Sequence, residues 1–435
     1  MAACFAYRGF NVIGVDVDPK AVDLLNSAQA PVLEPGLTEL IASCRERLSA
    51  TTDAQLAVLG SQVSFVIVPT PSDQDGSFSL EYLCSVMREI GHALAIKEGY
   101  HLVVVTSTVM PGATSRELIP LLEEASGKKC GVDFGVCYSP EFIALGSVIR
   151  DFLNPDFYLV GEFDERSGAV LCAVNDRVSE NSAPVKRLSI ENAELAKIAI
   201  NSYVTLKISF ANMLADFCEK IPGGNVDEVA EALGLDQRIG RKYLTGGLGF
   251  AGPCFPRDNV AFGFLGEVLD VDTQLLRANH DYNSKRTSRV LSTIEGLLPE
   301  GTKAAVLGLS YKPHSNITEW APGIEFCELL ADRGLNVVGH DVLALSISQT
   351  PRRASVSITD NLRDALEGAE TIIVATPDPV YRNLLVGEIA PSKKILVLDC
   401  WRVVPHLRND PIVDYWAVGE NRLARDLASN EGWLV

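Results

Sequence analysis

The feature that most narrows what this chain can become is a repeat within it. RGFNVIGVDV runs from Arg8 to Val17, and RGLNVVGHDV runs from Arg333 to Val342. Each reads as the end of a helix, a glycine, and a buried strand that closes on aspartate. The likeness continues downstream in the same order. Thr52-Asp53 and Thr359-Asp360 each lead into a strand, and those strands run on to Thr70-Pro71 and Thr376-Pro377. Self-similarity in the same order predicts two Rossmann-like, doubly wound α/β domains. Apolar runs such as VVVTSTV (103–109) and KILVLDC (394–400) fit strands buried on both faces of a parallel sheet.

The two copies differ at the front. KAAVLGLSYKP (303–313) precedes the second copy and reads as a strand, Gly308, a turn suited to phosphate, then a helix. Only seven residues precede Arg8, and they read as the end of a helix. The first copy is therefore expected to lack its opening strand and the Gly-rich turn after it, roughly 10–15 residues. Between the copies, residues 191–220 carry no Gly or Pro and have helical periodicity. Such a helix would be roughly 45 Å long. Shorter helices are expected around 225–235 and 258–290. The expected boundaries are 1–185 for a dinucleotide-binding domain, 186–298 for a central helical domain, and 299–435 for a second α/β domain.

Composition limits the partners. Asp+Glu number 56 against Lys+Arg 38, a net charge of −18. An acidic chain is poorly suited to phosphate backbones and anionic membranes, so neither nucleic acid nor membrane is expected as a partner. The chain has no apolar run of the 18 or so residues a bilayer span needs. No signal peptide is apparent, so a cytoplasmic location with reduced thiols is expected. The ten cysteines are scattered, without a CxxC pair or a Cys/His cluster, so no metal site is expected. Most should be small buried hydrophobes.

One cysteine has distinctive surroundings. GGLGFAGPCFPRDN (246–259) places Cys254 in a glycine-rich loop, just before a helix expected to start at Asp258. Helix N-termini favour thiolate, which makes Cys254 the candidate for a chemical role; a turn with an incidental buried Cys is the alternative. Gly249 and Gly252 would let a ligand approach the backbone. On the long helix Lys197 and Asn201 share a face and could stabilise an oxyanion or hold a water. Lys197 read alone is more often a solvated helix lysine. Thr108 and Glu141 fall at carboxyl ends of strands, where doubly wound folds bind ligands. Asp16 ends a strand where an acidic side chain accepts from a dinucleotide's ribose.

Taken in order, GVDVD (14–18), EPGL (34–37), VPTP (68–71), TSTVMPG (106–112), SPEF (139–142), NPD (154–156), ENAELAKIAIN (191–201), DQRIG (236–240), GPCFPRD (252–258) and GLSYKP (308–313) resemble the UDP-glucose/GDP-mannose dehydrogenase family. The resemblance covers nearly the whole chain. It implies oxidation of a sugar C6 alcohol to a carboxylate with two NAD, through a thiohemiacetal and a thioester on Cys254. It further implies Lys197 and Asn201 as an oxyanion-stabilising pair and Asp258 as the acid beside the nucleophile. Thr108 and Glu141 would hold the reacting water. Asp16 and Lys20 would contact the cofactor ribose, and Thr70 and Thr108 would line the nicotinamide side. Tyr311, Lys312, Arg402, Phe142 and Gly249 would contact the nucleotide sugar, and Arg238 would reach it across a homodimer interface.

Several positions depart from the family pattern. Leu145 stands where a second acid is usual, Glu319 and Trp320 replace an arginine and a glutamate, and Pro253 and Arg257 replace the commoner Ser and Lys. CFPRD favours a UDP-hexose substrate; GDP-mannose and a UDP-N-acetylhexosamine are the enzymatic alternatives. The absent Gly-rich turn leaves a non-catalytic nucleotide-sugar binder open, and predicts weak NAD binding and low stability.

Overall fold

The first repeat begins with β1 (Val12–Val15) and β2 (Leu48–Thr51), which pair in parallel as a sheet of their own. Then β3 (Val63–Val66), β4 (His101–Val105), β5 (Phe134–Tyr138), β6 (Tyr158–Glu162) and β7 (Val185–Ser189) form a five-stranded sheet in that order. It is parallel except where β6 runs against β5. Every residue of β4 and β5 is buried, as their apolar runs require. Even His101 is buried; its ring meets Ser64 Oγ at 2.9 Å, and burial pulls its pKa down to about 4.

The second repeat builds β8 (Lys303–Leu307), β9 (Asn336–His340), β10 (Val356–Thr359), β11 (Ala369–Val374), β12 (Ile395–Asp399) and β13 (Val413–Ala417). These six strands are all parallel, in the order β10-β9-β8-β11-β12-β13. The order reverses between β8 and β11, the switch point at which doubly wound sheets take ligands. By the sequence repeat, β1 and β2 correspond to β9 and β10, and β3 to β11. Whereas β9 and β11 both pair with β8, β1 and β3 lie in separate sheets.

The structure, a computed structural model, describes residues 1–299, 301–347, 349–386 and 394–421. Contacts group the chain into two compact units: Met1–Ile200 with Val260–Asp270, and the remainder from Asn201 to Asn259 and from Val271 on. Of the three divisions along the chain, two fall inside helices, Ile190–Lys220 and Phe255–Val268, and the third follows Asp270. Val226–Leu235, Gln274–Ser284 and Arg286–Ser292 complete the helical region.

Two local expectations need correction. The helix after Cys254 starts at Phe255, not Asp258. Pro256 sits in its first turn, where a missing N–H costs little. The turn after β8 is not open for phosphate as its sequence suggests. Asp341, beyond the end of β9, accepts from the N–H groups of Leu309 (2.9 Å) and Ser310 (3.0 Å) and from Ser310 Oγ. The adjoining Gly308 has φ +93°, and a Cβ there would stand 2.3 Å from Thr376 Cβ.

The long helix buries polar residues beside small and apolar ones such as Ala193, Ile198, Ala211 and Ala215. Its polar residues Glu194, Lys197, Asn201, Thr205 and Asn212 are buried, at helical spacing. Its aromatic and apolar residues Tyr203, Phe210, Met213 and Phe217 are exposed on another face. Ser202 and Ser209 are buried beside them with unpartnered hydroxyls, whereas the five larger polar groups are hydrogen-bonded, as burial demands. Glu194 bonds to Gly112 and Thr114, Lys197 to Glu141, Asn201 and Thr205 to Asp258 and Asn259 of the helix Phe255–Val268, and Asn212 to Gly247 and Leu248.

Candidate active site

Burial singles out one thiol. Among the ten cysteines only Cys254 is exposed. Burial pushes the other nine thiols up from their ordinary pKa, the reverse of what a nucleophile needs. Cys254 immediately precedes the helix Phe255–Val268, and its carbonyl accepts from Asp258 N at 2.8 Å. The thiol therefore stands at a helix N-terminus, beside the unpaired N–H groups of the first turn.

Around it in the same unit, Asp258 is fully buried and accepts from Asn201 Nδ2 at 2.6 Å, with Arg257 3.4 Å from its other oxygen. The Tyr311 ring packs on Gly252, two residues before the thiol, and burial raises its hydroxyl above the usual phenol range. Lys312 Nζ lies 5.5 Å from the centre of that ring. Glu319 meets the Cys loop through its backbone, its carbonyl accepting from Gly252 N at 2.9 Å. Trp320 is exposed.

Three residues expected at the substrate have other partners here. Arg402 is nearly buried; it holds Asp227 through Nε and Nη2 (2.7 and 3.0 Å) and donates to the carbonyls of Val418 (2.7 Å) and Gly246 (2.8 Å). Its guanidinium thus clamps the loop rather than presenting charge to solvent. Arg238 is exposed and paired with Asp236. Gly249 faces the side chain of Asn283.

The other unit holds a second group. Lys197 Nζ donates to the Glu141 carbonyl at 2.6 Å and lies 4.5 Å from the centre of the Phe142 ring. Phe142 also packs on Phe157. Glu141 is half-buried, yet its Oε1 is shut off from solvent and has no hydrogen-bond partner within the protein. Burial raises its pKa, opposed by nearby positive charge including that of Lys197. A carboxyl with an open lone pair and raised basicity suits a water-activating base. Leu145 is exposed and offers no second acid. Thr70 Oγ1 donates to the Thr108 carbonyl at 2.7 Å, tying together the segments that follow β3 and β4. Asp16 is exposed at the carboxyl end of β1, and its Oδ1 accepts from Asp18 N at 2.9 Å. Lys20 is exposed in the first turn of the next helix, Pro19–Asn26.

Two positioning carboxylates escape a reading of the sequence. Glu34, in the EPGL motif, accepts from the N–H groups of Gly146 and Val148, both at 2.8 Å. It thereby caps the helix Val148–Leu153 and fixes the loop that follows Glu141. Glu194 accepts from Gly112 N (2.5 Å) and Thr114 N (3.0 Å), holding the turn after Thr108. The signal for Glu194 is its place on the helix face of Lys197 and Asn201. Among the described residues no group of His, Cys, Asp and Glu is placed to hold a metal ion, and no helix is long and apolar enough to cross a membrane.

The chain is similar to known proteins along nearly its whole length. Three profiles of one family match in order: the NAD binding domain of the UDP-glucose/GDP-mannose dehydrogenase family over residues 1–178, its central domain over 191–285, and its UDP binding domain over 305–406. UDP-glucose 6-dehydrogenase AglM of Haloferax volcanii is 36% identical over 408 residues, 93% of this chain and 94% of that protein. GDP-mannose 6-dehydrogenase of Pseudomonas aeruginosa is 34% identical over 420 residues, with the same coverage. The structure of a UDP-glucose dehydrogenase from Pyrobaculum islandicum superposes with a TM-score of 0.86 at 33% identity, over 97% of this chain and 94% of that one. The chain belongs to the UDP-glucose/GDP-mannose dehydrogenase family, the NAD-dependent nucleotide-sugar 6-dehydrogenases.

Proposed function

We propose that this protein oxidises the C6 alcohol of a UDP-hexose to the uronic acid, with Cys254 as the covalent nucleophile. The single observation that carries this reading is the exposed thiol at the N-terminus of the helix Phe255–Val268, with buried Asp258 in its first turn bonded to Asn201. NAD, when bound, accepts one hydride in each of the two oxidations. Its fit rests on exposed Asp16 at the carboxyl end of β1, able to accept from ribose hydroxyls, and on the Thr70–Thr108 pair past β3 and β4.

The alcohol loses a proton and a hydride to become an aldehyde. The Cys254 sulfur adds to the aldehyde carbon, and Lys197 and Asn201 stabilise the oxyanion before it takes a proton. This thiohemiacetal loses the second hydride and a proton to become a thioester. Water, deprotonated by Glu141, attacks the acyl carbon; the C–S bond breaks and the thiolate returns. Tyr311 and Lys312 serve the nucleotide diphosphate. We further propose a cytoplasmic homodimer formed through the exposed stripe Tyr203, Phe210, Met213 and Phe217, which leaves large apolar side chains in water otherwise.

Incubation with NAD and a panel of nucleotide sugars tests the reading. Two NADH per UDP-glucose are expected, with Cys254→Ser forming no acid. GDP-mannose as the preferred sugar would move the substrate to the other named branch of the family. Nucleotide-sugar binding with no NADH from any sugar would leave only a binder.

A further inference from the structure

The loop that carries Cys254 has four glycines in the seven residues 246–252, a composition that gives a chain little intrinsic stiffness. In the structure its backbone is nevertheless held by side-chain amides. Asn212, fully buried on the long helix, accepts from Gly247 N at 2.8 Å and donates to the Leu248 carbonyl at 3.0 Å. Asn283, on the helix Gln274–Ser284, accepts from Phe250 N at 2.8 Å and donates to the Phe250 carbonyl at 3.0 Å. Each carboxamide uses one donor and one acceptor, as a neighbouring strand would. Arg286 Nε adds a bond to the Gly247 carbonyl at 2.8 Å. Gly249 is glycine because of this clamp: a Cβ there would stand 2.5 Å from Asn283 Oδ1, and its three nearest atoms would all belong to Asn283.

We infer that Asn212 and Asn283 are positioning residues for the nucleophile, an artificial strand edge that fixes where the Cys254 thiol meets the aldehyde. The inference deepens the proposed reading and rests on Cys254 being the nucleophile. Asn283 lies four residues upstream of the thiol along the contacts it makes, at Phe250, so its loss frees the thiol without touching a reacting atom. Displacing a reacting group by about 1 Å costs about 100-fold. The first oxidation needs no thiol, so the damage should fall on the second.

The test uses the full chain with NAD and the nucleotide sugar it turns over. Asn283→Ala should lower acid formation about 100-fold while the KM for the sugar changes less than about threefold. Released aldehyde, trapped as an oxime with hydroxylamine, should rise relative to acid. A merely structural role would lower both oxidations together and leave that ratio unchanged, which would overturn the inference. Asn283→Asp keeps the acceptor for Phe250 N but not the donor, and should fall between wild type and Asn283→Ala. Gly249→Ala should mimic Asn283→Ala by pushing the amide away, and the double variant should be no worse than either single one. Additive losses would contradict a shared clamp. If Cys254→Ser still forms acid at the wild-type rate, the nucleophile assignment fails; if Cys254→Ser is dead and Asn283→Ala is unaffected, only the clamp fails.

Discussion

Removing the Glu34 carboxylate should loosen the loop that carries Glu141 without unfolding the protein. Glu34 accepts two backbone N–H bonds at 2.8 Å, from Gly146 and Val148, more than 110 positions away in sequence. Lys197 holds the other end of the segment at the Glu141 carbonyl. In Glu34→Ala the helix Val148–Leu153 loses its cap, at about 1 kcal/mol, and the second charge-assisted bond adds about 1 more. Because both bonds are only part-buried, about 2 kcal/mol is the sum to use, which is a roughly 30-fold change in local opening. Amide hydrogen exchange at Gly146 and Val148 should therefore speed up about 30-fold, while the buried strands β4 and β5 exchange as before. Activity should show the same locality. NADH should still form in a first burst, and thioester hydrolysis should slow because the Glu141 carboxyl is no longer held. Glu34→Gln keeps one good acceptor and should recover about half of the lost protection. Unchanged exchange at 146–148, or equal acceleration throughout the sheet, would refute the argument that this carboxylate is a local tether.

Three further outcomes follow from the same geometry. Burial raises the Glu141 pKa, so its basic form is complete only above the ordinary carboxylate range; hydrolysis should climb with pH through that raised value and then level. Glu141→Gln should flatten the profile and leave an acyl adduct on Cys254, visible in the intact protein mass. Asp227→Ala strands the nearly buried Arg402 guanidinium, and because Asp227 itself is 40% exposed the cost in chemical denaturation should be about 2 kcal/mol, below that of a fully buried pair. Converting Arg402 to Met in that background should return most of the loss. Phe210→Glu, in the middle of the exposed stripe, should shift sedimentation from dimer to monomer; a wild-type chain that is already monomeric would remove the stripe as an interface.

What could be read in the sequence, and what could not, divides by the kind of group that each residue addresses. The repeat was legible because strand burial and turn glycines recur with local periodicity, and the sheets follow it. Cys254 was legible because a helix N-terminus and a glycine loop are both local. The long helix was legible as a helix, but its meaning lay in the phase of its polar residues: Glu194, Lys197, Asn201, Thr205 and Asn212 point inward and Phe210 and Phe217 point out. That phase is present in the letters, yet an apolar-inside rule does not find it, because buried polar groups need partners that the helix does not contain. Those partners lie 35 to 82 positions away, in loops and in the helix Phe255–Val268. Arg402 shows the same limit from the other side. A basic residue near a motif reads as a ligand contact, whereas its carboxylate lies at Asp227, 175 positions off. Asp341 likewise takes the N–H groups of Leu309 and Ser310 that the turn after β8 offers to phosphate. In each missed case the side chain acts on the backbone of a distant loop or on a distant charge. Every residue but proline carries the same N–H, so a loop that will be clamped looks no different in sequence from one that will not. Positioning residues are therefore the part of this site that only coordinates reveal, and the proposed nucleophile and base the part that sequence chemistry suggests first.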